Sequence, residues 1–146
     1  MRSKMTEKST QQVQMTEEQV NAWQRECLDN AQKYIADKGI LPVSIIEKEC
    51  RVLPPLCAVW KIKGNDGNTY WVITGRLPTD AVQAGAADTA RDVMRHFSLQ
   101  WQLKANSIME NKPVDKTQAD FANLLVHRAH GLYELFEKDE LWANEA

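Results

Sequence analysis

A chain of 146 residues, 43% hydrophobic and 26% charged, carries enough apolar content for a core without metal or disulfide staples. Its formal net charge of −2 and pI near 5.9 offer no basic field for nucleic acid or anionic lipid. No apolar run approaches the roughly 18 residues that span a bilayer, and Cys27, Cys50 and Cys57 form neither an even set nor a C-x-x-C pair. The expected setting is therefore a cytoplasm with reduced thiols.

Residues 1–14 are polar and without periodicity, so a disordered leader is expected there, with one domain over 15–146. Arg2, Lys4 and Lys8 have no apolar stretch behind them, so a secretory signal is not expected, and Met15 is an alternative start. Thr16 with Gln19 three residues on predicts a helix N-terminus. Val20, Trp23, Cys27, Leu28, Ala31, Tyr34 and Ile35 then recur at helical spacing up to a stop at Gly39.

The next block predicts strands. Asp66-Gly67 is a strong hairpin signal. A two-residue turn there sets Trp60 across from Ile73, Ile62 across from Trp71 and Ala58 across from Gly75. The other face would then carry Lys63–Tyr70, Lys61–Val72 and Val59–Thr74. Upstream, residues 46–52 fold back so that Cys50 lies beside Trp60 and Val52 beside Ala58. The same register pairs Glu49 with Lys61 and Glu47 with Lys63, and places Lys48 on the core side.

An irregular segment, Arg76 to Val82, follows Gly75. A second helix is expected over about 86–111, with Ala90, Val93, Met94, Phe97, Trp101 and Ile108 as its stripe and Leu99 and Leu103 on the opposite side. A third begins at Thr117, with Asp120 as capping partner and Phe121, Leu124, Leu125, Leu132 and Phe136 as its stripe. Five acids between Glu134 and Ala146 against Lys138 predict fraying beyond Phe136, unless Trp142 packs. The expected class is α+β in two layers: a helix, a three-stranded antiparallel meander, then two helices, with the helices on the Trp60/Ile62/Trp71/Ile73 face.

Two stretches, Arg51-Val52-Leu53-Pro54-Pro55-Leu56-Cys57-Ala58-Val59-Trp60-Lys61 and Trp71-Val72-Ile73-Thr74-Gly75-Arg76-Leu77-Pro78-Thr79-Asp80, together with Trp23, resemble a bacterial family, domain of unknown function 4826. The resemblance spans about Thr16 to Ile108. It implies a bacterial cytoplasmic origin and no activity, cofactor or catalytic residue.

No Walker loop, G-x-G-x-x-G, H-E-x-x-H or G-x-S-x-G occurs, so neither a cofactor nor a catalytic set is expected. His127, His130 and Glu134 share a helical face, but one opposite the apolar stripe, as a solvated surface would be. Arg128 falls within that stripe, where it either pairs at the core's edge or lines a pocket. Arg76, Thr79 and Asp80 lie in a loop that follows a strand and leads into the start of a helical segment, where they either cap it or meet an anion. Leu99, Leu103, Tyr70 and Val72 are the candidate interface. The sequence therefore favours a non-catalytic binding module with a homodimer or another protein as partner, and neither nucleic acid nor membrane. The alternative is a small enzyme or anion-binding domain with its site between the Gly75–Asp80 loop and Arg128.

Overall fold

The computed structural model describes residues 15–143; the leader expected over 1–14 lies outside them. An N-terminal helix, an antiparallel sheet and two further helices follow in that order, the α+β class that the sequence predicts. The chain divides at Ala81/Val82 into two compact units, each described in turn.

Helix α1 (Glu17–Asp37) opens with the predicted capping box. Thr16 Oγ1 accepts from the Gln19 amide at 3.1 Å, and Gln19 Oε1 accepts from the Thr16 amide at 2.9 Å, satisfying donors that a helix start leaves free. After α1 come β1 (Pro42–Ile45), a 3-10 turn (Glu47–Glu49), β2 (Arg51–Leu53), β3 (Cys57–Gly64), β4 (Thr69–Gly75) and β5 (Asp80–Gln83). The sheet order is β1-β3-β4-β5, with β2 also on β3. Among the described residues, five strands thus replace the expected three. One of the additions, β1, begins at proline, which a strand's first residue tolerates because no N–H is lost from its interior.

Between β2 and β3 the expected register holds: Val52 pairs with Ala58, and Lys61 Nζ meets Glu49 Oε1 at 2.9 Å. The segment before β2 is not one continuous strand. Its 3-10 turn turns Lys48 out to solvent and leaves Ser44, not Glu47, opposite Lys63.

The β3–β4 register differs from expectation by one residue. Trp60 faces Val72, Ile62 faces Tyr70 and Ala58 faces Thr74. The cause is the turn. The Gly64 amide donates to the Asn68 carbonyl and the Gly67 amide to the Gly64 carbonyl, enclosing a three-residue loop in which Gly67 takes φ +86°. A glycine in the left-handed region ends such loops as readily as it fills a two-residue turn. The core face is consequently Ala58, Trp60, Ile62, Tyr70 and Val72, packed with Cys27, Ala31 and Ile35 of α1. Trp71 and Ile73 belong to the other face, and they too are fully buried. At the end of β4, Gly75 sits at φ +131°, where a Cβ would lie 2.5 Å from the Leu56 carbonyl oxygen. Only glycine permits that approach.

In the second unit, helix α2 (Ala90–Glu110) starts at the cap Thr89 rather than near Ala86, because a 3-10 turn (Ala84–Ala86) comes first. Helix α3 (Lys116–Glu137) is capped by Asp115 with Gln118, not by Thr117 with Asp120. Asp120 instead meets Lys116 at 3.2 Å. The buried face of α3 is Ala122, Leu125, Ala129 and Leu132, so Phe121 and Leu124, expected inside, remain 38% and 39% exposed. Small residues hold the two helices together: Ser98 Oγ donates to the Ala129 carbonyl at 2.7 Å. The expected fraying beyond Phe136 is opposed by Trp142, buried in a final 3-10 turn (Asp139–Trp142). Its Nε1 donates to the Leu135 carbonyl at 3.0 Å, and Arg91 Nε donates to the Phe136 carbonyl at 2.8 Å. Both bonds satisfy carbonyls that a helix end leaves without intrahelical partners.

Candidate functional site

The face of α2 that carries Leu99 and Leu103 follows from the helical repeat. Ser98, Trp101 and Ala105 are buried, while Leu99 and Leu103, one turn apart, fall on the other side. The face of α3 that is buried, Ala122, Leu125, Ala129 and Leu132, leaves the two leucines uncovered. Leu99 stays 40% exposed, Leu103 63% and Met109 44%. They line an open groove of about 630 Å³ with Gln102, Ala105 and Asn106 of α2 and Ala122, Asn123 and Val126 of α3.

The groove's chemistry is apolar with neutral amides. No lining residue is charged, titratable or nucleophilic. The amides are partly engaged along their own helix: Gln102 Nε2 donates to Ser98 Oγ at 3.3 Å and Asn106 Nδ2 to Glu110 Oε1 at 3.1 Å. Such a surface can take up apolar side chains and hydrogen-bond a neighbour, but it cannot carry covalent chemistry.

Of the interface candidates, Leu99 and Leu103 are brought together here. Tyr70 and Val72 are not part of any exposed surface. They are 8% and 0% exposed, because the one-residue register difference turns both onto the α1 face. The Gly75–Asp80 loop runs into β5 and not into a helix, so no free helix N–H groups gather there and Thr79 caps nothing. Arg76 is exposed, and Thr79 and Asp80 are half-buried. Asp80 Oδ1 accepts from the Ala81 amide at 2.8 Å. Arg128, half-buried on α3, belongs to the second unit. His127, His130 and Glu134 point to solvent, and among the described residues no group of three His, Cys, Asp or Glu could hold a metal.

Met109, Gln102, Asn106, Asn123 and Val126 were missed from sequence. The recurrence 99–102–106–109 does follow helical spacing, but two amides interrupt it, so it does not read as an apolar stripe. The cysteines are poor nucleophiles. Burial pushes Cys57 up to about 12, and desolvation raises Cys27 and Cys50 as well, so all three stay as thiols at neutral pH.

No curated protein and no solved structure matches the chain. A family model does, over residues 17–142, a span that takes in α1, the whole sheet, the groove and the Trp142 turn. The chain thus belongs to the family Domain of unknown function (DUF4826).

Proposed function

We propose that the chain is a non-catalytic binding module that docks a protein partner in the α2–α3 groove. One observation carries this: Leu99, Leu103 and Met109 stand exposed together in a concave, uncharged surface, where scattered apolar residues would need no explanation. The setting proposed is a bacterial cytoplasm. Three free cysteines support the cytoplasmic part, and the family resemblance seen in the sequence implies the bacterial part. Among the described residues no helix is long and apolar enough to cross a membrane.

The test places a photo-crosslinking amino acid at Leu103 and, as control, at exposed His127, in cells expressing the full chain. A discrete protein adduct is expected from position 103 alone, and it should disappear when Leu99 and Met109 are changed to Glu. Circular dichroism should show that this variant keeps its helices. Adducts identical at the two positions, or loss of fold in the Leu99→Glu, Met109→Glu variant, would overturn the groove as a docking surface.

A further inference from the structure

We infer that the groove's occupant is a second copy of this chain, seated by two antiparallel α2 helices related by a two-fold axis. This rests on the groove being a docking surface, and it adds the partner. The first argument is shape. One patch presents both a projection, Leu103 at 63% exposure, and the hollow beside it, which is the self-complementarity an isologous two-fold contact requires. With the axis passing midway between Leu99 and Leu103, each Leu99 faces Leu103 of the other copy and each Leu103 enters the opposite groove.

The second argument is charge. The groove itself is neutral, but exposed Arg95 lies toward the N-terminal end of α2 and exposed Glu110 at its C-terminal end. Arg95 is six residues before the axis and Glu110 nine after it. In the antiparallel pair Arg95 and Glu110 of the two copies are then offset by only ~4.5 Å along the helices, at 1.5 Å per residue, within reach of an arginine side chain. A parallel pair would instead oppose Arg95 to Arg95 and Glu110 to Glu110. Asp92 falls level with the same Glu110 and opposes the pairing, but it sits in the first turn of α2, where the helix's positive end offsets a nearby acid. Arg95 of each copy thus meets Glu110 of the other.

The experiment is sedimentation equilibrium of the full chain as wild type, Arg95→Glu, Glu110→Arg, the double exchange, and Leu103→Glu, with circular dichroism to confirm that each is folded. Wild type should be dimeric at about 100 µM. Each single charge reversal should weaken the dimer about tenfold, because a two-fold contact registers every substitution twice. The double exchange should restore the dimer to within about threefold, and Leu103→Glu should be a folded monomer. A wild type that stays monomeric at that concentration overturns the second copy as occupant. The crosslink from position 103 then still reports separately whether the groove binds a different protein. A dimer indifferent to Leu103→Glu, or single reversals that the double exchange does not rescue, overturns this pairing.

Discussion

Thr74 shows how much a single hydroxyl holds. It is fully buried, accepts from the Trp60 indole Nε1 at 3.0 Å, and donates to the Cys27 carbonyl at 3.1 Å. One oxygen thereby joins β3, β4 and α1. A buried indole N–H needs such a partner, and leaving it without one costs more than the hydrogen bond itself contributes. Thr74→Val keeps the shape and removes the acceptor, so it should lower stability by about 1–3 kcal/mol, while Thr74→Ser should lose less. Urea melts read both, and a valine variant within about 0.5 kcal/mol of wild type, the range of neutral surface changes, would show that the bond contributes nothing. In the sequence Thr74 gives no hint of this role. A threonine in a strand suits either face, and the expected register turned it away from Trp60.

At the scale of elements, the β3–β4 hairpin is closed by side chains at its own loop. The Asp66 carboxylate accepts from the Asn68 amide at 3.0 Å and from the Tyr70 hydroxyl. Tyr70 buries its ring against α1 and brings the hydroxyl back to the turn. The donated Tyr70 hydroxyl, and after it the Asn68 amide, hold Asp66 below the usual aspartate range, while the bond to Asp66 raises Tyr70 above the usual tyrosine range. Both shifts have definite signs in stability. A depressed acid contributes stability that is present above its unfolded value, near 3.9, and is lost as pH falls through the folded one. A raised phenol contributes stability that is present below about 10 and is lost as pH rises through the folded value. The hairpin should therefore be steadiest between roughly pH 4 and pH 10. In Tyr70→Phe, Asp66 should titrate nearer to an ordinary aspartate, and the alkaline loss should disappear. Carboxyl NMR titration with melts across pH checks this; an Asp66 titration unmoved by the substitution would refute it. The Asp66-Gly67 signal located this turn from sequence but could not set its length, since two-residue and three-residue loops both accept a left-handed glycine. Capping of α3 was ambiguous in the same way: Asp115 with Gln118 and Thr117 with Asp120 share one spacing, and only the helix's packing selects the first.

For the whole molecule, self-pairing through α2 has a consequence in bulk stability. A dimer that binds only folded chains raises the melting temperature with protein concentration by mass action. Calorimetry across about a hundredfold range of concentration should therefore show a rising melting temperature in wild type and none in Leu103→Glu; equal behaviour in the two would count against the pairing. Two apposed chains carry twice the net charge of −2, too little to oppose the contact at ordinary ionic strength. By itself the sequence determined the α+β class, the order of helix, sheet and two helices, the capping box and glycine stop of α1, the β2–β3 register with its Glu49–Lys61 pair, and the placing of Leu99 and Leu103 together opposite the α2 stripe. Each depends on spacing along one element or between near neighbours in the chain, where side-chain period and turn chemistry act directly. The tertiary structure alone decided the β3–β4 register, the inward placement of Tyr70 and Val72, and the rotation of α3 that buries Ala122 and Ala129 and leaves Leu99 and Leu103 exposed. Both central strands are buried on their two faces, so polar and apolar residues no longer alternate to mark the inside. On α3, Leu125 and Leu132 are buried as their spacing predicts, but Ala122 and Ala129 share that face while Phe121 and Leu124 stay partly exposed, so hydrophobicity along the helix places the stripe only to within a residue or two of rotation.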